Sequence, residues 1–269
     1  MGYGFRTGGW GGPTYRAYGG GRSRFSFGFG ITPIVKKLII INAVAFFALA
    51  VLSATAPQMA ARLVRMLGVV PGDTLFRFHV WQPFTYLFLH GGFWHVFFNM
   101  FGLWMFGTPL ERDWGSRRFL RYYLLTGVGA GFLNVVFSLL WGGPSAYGVT
   151  IGASGAIYGI LLAFGLLYPN APILIMFILP VPARLVVLMF GAVAFLSALE
   201  GPGSGISHVS HLGGMFFGYL YLRGGWLYYR VLNTVVDWRL KQTRRKFDVY
   251  MSEMDEREQE RSRPDRWIN

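Results

Sequence analysis

The chain has no cysteine and very little charge. The first absence excludes a disulfide framework, a thiol nucleophile and a cysteine-based metal site, and it leaves the redox compartment open. The second argues against an ordinary soluble domain. Only 14% of the residues are charged, against about 25% in typical globular proteins. Acids are scarcest, and none precedes Asp73. No His-Glu-x-x-His pattern occurs, which argues against a membrane zinc protease. No Asp lies within the long apolar segments, so an aspartyl dyad has no residues to use. No metal site, no cofactor and no solenoid-type repeat is expected.

What is present is apolar. Of 269 residues, 53% are hydrophobic and 18% aromatic, while 25 Lys plus Arg against 12 Asp plus Glu give a net charge of +13. A balance this basic ordinarily suggests nucleic acid. A basic nucleic-acid-binding domain does not carry long stretches free of charge, however. The composition favours a polytopic membrane protein with the lipid bilayer as partner and no nucleic acid.

Crossing a bilayer core of about 30 Å takes roughly 20 apolar residues as a helix. Five segments qualify: Leu38 to Ala56, Phe93 to Pro109, Phe119 to Trp141, Ile151 to Tyr168 and Leu185 to Leu199. Val209 to Tyr221 is the short centre of a sixth, extended in both directions. The apolar stretch Ala171 to Val181 is punctuated by Pro169, Pro172, Pro180 and Pro182. Proline costs about 3 kcal/mol inside a helix, so this stretch reads as an interfacial connector. The expected fold is an all-α polytopic bundle of six transmembrane helices.

Basic residues test that layout. With the N-terminus inside, 22 of the 25 Lys and Arg fall on the inner side and three, Arg62, Arg65 and Arg77, on the outer. This is the positive-inside asymmetry. It places both termini in the cytoplasm and explains +13 by topology and anionic headgroups.

Three regions follow. Residues 1–33 form a tail whose first 30 positions hold eleven Gly, eight aromatics and four Arg, and a disordered cytoplasmic segment is expected. It lacks the apolar core and cleavage site of a secretory signal. Its want of acids is shared with organelle transit peptides, but its Gly and Tyr content and missing amphipathic helix are not. Residues 34–223 form the membrane domain. Residues 224–269 mix charges of both signs and read as an exposed cytoplasmic helix or tail.

Polar groups inside a membrane are expensive and are functional candidates by default. The set is short: His95 and Asn99 in the second span, Asn134 in the third, Ser154 at the start of the fourth and His211 in the sixth. Asn134 reads as a helix-packing hydrogen bonder. His95 and Asn99 are four apart and share a helix face; they are either two donors converging on one oxyanion or an interhelical packing pair. Ser154 precedes Gly155-xxx-Gly159, and His211 precedes Gly214-xxx-Gly218. Each is a small-residue face that lets backbones approach closely. If those faces meet, an imidazole could take the proton of the serine hydroxyl. The bland alternative is packing glycines with a serine bonded back to its own helix. The four residues together, in charge-poor spans and toward one leaflet, favour a reactive site. Glu111, Arg112 and Asp113 read as a local ion-pair cluster at the inner end of the second span. His79, His90 and His208 read as outer-loop or helix-end residues, with structural hydrogen bonding favoured for the last two. Glu200 reads as the interfacial end of the fifth span.

These residues resemble the rhomboid intramembrane serine proteases. The run from Phe84 through His90, His95 and Asn99 to Met100 is similar to that family's entry into the second span. Gly152-Ala153-Ser154-Gly155-Ala156-Ile157-Tyr158-Gly159 resembles its nucleophile motif, and His208-Val209-Ser210-His211-Leu212-Gly213-Gly214 its base motif. The resemblance covers about residues 34 to 223. It implies Ser154 as nucleophile and His211 as general base, a dyad without a carboxylate. It implies an oxyanion hole made of His95, Asn99 and the Ser154 N–H. Tyr158 would orient the His211 ring, Gly152 would form the tight entry to the site, and His90 would be a structural hydrogen-bonding residue. Trp81-Gln82 stands where many members have Trp-Arg, which puts loop anchoring in doubt. The implied substrates are transmembrane proteins, and a prokaryotic cell membrane is the expected location. A non-catalytic rhomboid-like client binder is the rival reading. A small transporter is a weaker one, since neither paired charges nor a repeated half-structure is seen.

Overall fold

The computed structural model describes residues 30–141, 146–175, 178–199 and 208–224. The expected disordered tail, apart from its last few residues, the charged C-terminal segment and Glu200 lie outside these residues.

Helix α1 runs Pro33–Thr55, with proline in its first turn where a missing N–H costs nothing. Its orphan N-terminal donors are met from far away in the chain. The Ile34 N–H donates to Glu111 Oε1 at 2.9 Å and the Val35 N–H to Glu111 Oε2 at 2.9 Å. Ser116 Oγ donates to the same carboxylate at 2.6 Å. Glu111 therefore serves a helix start and a neighbouring hydroxyl. Asp113 accepts from the Tyr168 hydroxyl. Desolvation pushes the Glu111 carboxyl up, but the Ser116 hydroxyl and the two backbone donors outweigh it and hold it below its ordinary value.

Proline stands in the first turn of the next three short helices as well: α2 (Pro57–Leu67), α3 (Pro71–Phe76) and α4 (Gln82–Thr85). A 3-10 turn, Tyr86–Phe88, follows. Polar contacts hold this loop region together. Buried Asp73 pairs with Arg65 at 3.1 Å and Arg77 at 3.4 Å. Gln82 is fully buried. Its carbonyl accepts from the Val70 N–H at 3.1 Å and Thr74 Oγ1 at 2.6 Å, and its amide donates to the Arg65 carbonyl at 3.0 Å. Trp81 Nε1 donates to the Met66 carbonyl at 2.9 Å. The neutral Gln82 amide thus ties the loop at the position where the resemblance has an arginine.

Helix α5 (Phe93–Gly102) continues through a π-turn at Leu103–Gly107 into α6 (Thr108–Trp114). Gly115 ends it at φ 77°, a conformation suited to glycine. Helix α7 is Ser116–Trp141 and α8 is Ser154–Leu167. Helix α9 is Ala183–Leu199, and α10 covers residues 208–224. Two helices, Pro33–Thr55 and Ser116–Leu140, are long and apolar enough to cross a membrane, and α8 and α9 are shorter apolar helices.

Helix α8 sits at the centre. It packs against α7, α9 and the α5–α6 segment, and eight of its residues are buried. Two buried tyrosines bridge to it or beside it: Tyr122 Oη donates to the Gly159 carbonyl at 2.7 Å, and Tyr86 Oη to the Gly127 carbonyl at 2.7 Å. Large apolar side chains stand exposed on the outer faces, including Val44, Phe47 and Val51 of α1 and Leu188, Phe195 and Leu196 of α9. A soluble monomer rarely exposes so continuous an apolar surface.

The all-α expectation needs one correction. Strands β1 (Pro172–Ile175) and β2 (Leu179–Pro182) pair antiparallel between α8 and α9. Prolines that forbid a helix are tolerated at the edges of a two-stranded ribbon.

Candidate active site

Three pieces of chain converge at the N-terminal end of α8. Gly152 precedes it at φ 120°, a value that side chains rarely adopt. Its N–H donates to the Tyr86 carbonyl at 2.9 Å. A Cβ there would meet His95 Nε2 at 2.6 Å. Only glycine lets the loop pass so close to that ring. Ala153 is the N-cap, and Ser154 opens the helix. The first intrahelical bond in this turn is from the Ile157 N–H to the Ala153 carbonyl. The N–H groups of Ser154, Gly155 and Ala156 therefore have no partner within the helix.

Helix α10 meets α8 glycine to glycine. A methyl group on Gly214 would overlap the Gly155 carbonyl, and one on Gly159 would sit 3.0 Å from the Gly214 carbonyl. This approach sets the distance between the two polar side chains. Ser154 Oγ and His211 Nε2 are 2.8 Å apart. The His211 ring lies flat on Tyr158, with centroids 4.1 Å apart and planes 3° apart. The His208 ring meets it edge-on, with centroids 5.8 Å apart. His211 Nδ1 is buried and has no hydrogen-bond partner among the described residues. No group of three metal-ligating side chains occurs among them either.

His95 lies on the first turn of α5. Its Nδ1 accepts from the Gly91 N–H at 3.4 Å, so the ring proton belongs on Nε2, which faces Gly152. Asn99, one turn further on, is buried, and its Nδ2 donates to the His95 carbonyl at 2.8 Å. The second N–H of that amide is available for another acceptor.

His90 departs from expectation. It is 2% exposed, and neither ring nitrogen makes a hydrogen bond among the described residues. Its contact is instead ring against ring with His95, 5.0 Å between centroids. Burial pushes the His90 imidazole down to about 4, and the neighbouring His95 acts in the same direction. Asn134 Nδ2 donates to Thr150 Oγ1 at 3.0 Å, fastening α7 to the loop before Ser154.

Several supporting residues carried no sequence signal. Tyr86 receives the Gly152 N–H, and Val69 pairs its backbone with Thr150 at 2.9 and 2.8 Å. Both contacts hold the segment that enters α8. Neither is deducible from spacing, because each joins residues more than 60 positions apart.

The family model described as "Rhomboid domain" matches residues 77–229. The chain is 35% identical over 147 residues to "Rhomboid protein 1, mitochondrial" of Saccharomyces cerevisiae, covering 52% of this chain and 39% of that protein. It is 37% identical over 139 residues to "Rhomboid protease GluP" of Bacillus subtilis, covering 52% and 25%. It is 29% identical over 91 residues to "Rhomboid protease GlpG" of Salmonella newport, covering 34% and 30%. The chain spans less than half the length of these curated relatives. They come from a mitochondrion as well as from bacteria, so the expectation of a prokaryotic cell membrane has no support over a mitochondrial one.

Proposed function

Since the chain belongs to the rhomboid family, we propose that it is a serine-type intramembrane endopeptidase that hydrolyses peptide bonds of transmembrane protein substrates. The 2.8 Å contact between Ser154 Oγ and His211 Nε2 carries this reading. A serine hydroxyl is a poor nucleophile until a base within hydrogen-bond reach takes its proton.

In the proposed steps, His211 Nε2 accepts the Ser154 proton as Oγ attacks the scissile carbonyl. His211 then delivers that proton to the leaving amine, and an acyl-enzyme forms on Ser154. Water, deprotonated by the same imidazole, releases the new carboxylate and restores the hydroxyl. The stack on Tyr158 holds the base ring in its plane. The oxyanion is met by the Ser154 N–H, His95 Nε2–H and the free N–H of Asn99 Nδ2. The Ser154 N–H is unclaimed by its helix and lies at the positive end of the helix dipole. Such donors are worth about 3 kcal/mol each in a water-poor site.

The topology belongs to the same reading. Six spans, with both termini on the side holding 22 of the 25 Lys and Arg, put Ser154 toward the opposite face. Water must reach Ser154 from that face. The substrate helix must unwind locally, because a helical peptide bond is shielded by its own hydrogen bonds.

The test is cleavage of a model transmembrane substrate by the reconstituted protein, beside Ser154→Ala and His211→Ala. Cleavage by wild type and loss in both variants is expected. Equal cleavage by all three contradicts the dyad. No cleavage by folded wild type across a substrate panel favours a client-binding role.

A further inference from the structure

The β1–β2 ribbon is not used by the chemistry above. It leaves the C-terminal end of α8, which is roughly 21 Å from Ser154 at 1.5 Å per helical residue. It therefore lies at the end of the bundle away from the site. We infer that this ribbon is a membrane-dipping element: Leu174, Ile178 and Leu179 enter the adjacent leaflet at the boundary between headgroups and acyl chains, and lipid is their partner. The inference rests on the membrane setting of the proposed function but not on the catalytic roles.

Side chains are the first support. From Ala171 to Ala183 no residue is polar. The foot is anchored in the protein, since Ile173 and Ala183 are buried. The outer part is bare: Leu174 is 54% exposed, Leu179 60% and Ile178 83%. Exposing these to water would forfeit the free energy that burial supplies, roughly 1.5–3 kcal/mol for each large aliphatic side chain.

The backbone is the second support, and it distinguishes lipid from a protein strand. The register pairs Pro172 with Pro182, Ile173 with Val181, Leu174 with Pro180 and Ile175 with Leu179. The Ala183 N–H donates to the Ala171 carbonyl at 2.9 Å. Hydrogen-bonded pairs alternate along an antiparallel ladder. Ile173–Val181 and Ile175–Leu179 are thus the bonded pairs, and Pro172–Pro182 and Leu174–Pro180 point their N–H positions outward. Three of those four outward positions are proline and have no N–H. Among these four, Leu174 alone keeps its donor. An unpaired donor in an apolar medium is costly, and at the other three positions proline removes it covalently. The same prolines disable both edges for pairing with another strand. Outward carbonyls remain, which sets the depth at the headgroup boundary and not in the bilayer centre.

Flanking residues mark that boundary. Tyr168 at the end of α8 bonds Asp113, and Arg118 stacks on Trp114 at 5.2 Å. Aromatic residues with polar tips favour this level of a membrane. Arg184, exposed at the foot of the ribbon, is placed to reach a lipid phosphate while Ile178 and Leu179 enter the acyl region.

The absence of cysteine makes the test clean. Ile178→Cys gives the full-length protein one thiol, which is labelled with an environment-sensitive fluorophore and reconstituted in phosphatidylcholine vesicles. Blue-shifted emission, quenched several-fold more by brominated acyl chains than by aqueous iodide and unchanged on dilution with lipid, is expected. Iodide quenching equal to that of the free fluorophore–thiol adduct overturns the inference. A blue shift lost on dilution with lipid overturns it in favour of contact with a second copy. Adding Leu179→Asp to the labelled protein should raise iodide quenching; no change in that variant, with unfolding unaltered, also counts against lipid contact. Label position is read without turnover. A cleaving protein with an iodide-quenched label overturns this inference alone, and an inactive protein with a lipid-quenched label overturns the proposed function alone.

Discussion

The His211 ring lies face to face on the Tyr158 ring, 4.1 Å between centroids, with no carboxylate hydrogen-bonded to Nδ1 among the described residues. In many serine hydrolases a carboxylate orients the base; under the proposed function the Tyr158 face takes that role. Tyr158→Phe keeps the stack and should hold kcat within a few-fold of wild type. Tyr158→Ala removes it and should lower kcat by about tenfold, as a ring pair is worth about 0.5–1.5 kcal/mol beyond its burial. Steady-state cleavage of a model substrate separates the two. Equal loss in both variants would mean that the hydroxyl, not the stack, matters.

Glu111 closes the start of α1 from 76 and 77 residues away. Replacement by Gln should cost about 1.5–3 kcal/mol, the range for a hydrogen bond to a charged group. The pH dependence has a definite sign. The folded carboxyl lies below its ordinary value of 4.5. Its contribution is therefore complete above pH 4.5 and lost as the pH falls below that value through the folded one. Thermal unfolding in detergent at stepped pH should show a wild-type decline over this window that Glu111→Gln lacks.

Gly214 permits the approach that sets the Ser154–His211 distance. Gly214→Ala forces a methyl group against the Gly155 carbonyl. Overpacking of this kind costs about 1–3 kcal/mol. The folded fraction should bind substrate yet cleave it far more slowly, since α10 must move away from α8. Circular dichroism with cleavage kinetics checks both halves; wild-type kinetics at wild-type stability would contradict the close packing.

Gln82 makes its bonds inside the loop region from fully buried positions. Gln82→Leu leaves the Val70 N–H and the Arg65 carbonyl without this partner. Each buried group left unsatisfied costs about 1–3 kcal/mol. Faster proteolysis or hydrogen exchange across residues 65–82, ahead of any change in α7, is the expected signature.

The helices were largely legible because apolar length is a local property. Ser154 and His211 stand out because few polar groups occupy those segments, and Ser154 Oγ and His211 Nε2 lie 2.8 Å apart. What was not legible depends on distant partners. Sequence places Glu111 beside Arg112 and Asp113, whereas the donors it serves are two on α1 and Ser116. For His90 the sequence suggests a hydrogen bonder, whereas its ring packs on His95 and its nitrogens have no partner among the described residues. The prolines around Ala171 to Val181 excluded a helix, yet only the register shows that three of them occupy outward positions.

The most direct measurement of the site is covalent. The reconstituted protein is treated with a fluorophosphonate, which reacts with an activated serine hydroxyl, and the adduct is mapped by peptide mass spectrometry. The expected result is one adduct on Ser154 in wild type and none there in folded His211→Ala. An adduct of equal yield in both proteins, or none on Ser154 in an enzyme that cleaves its substrate, would contradict a nucleophile activated by His211.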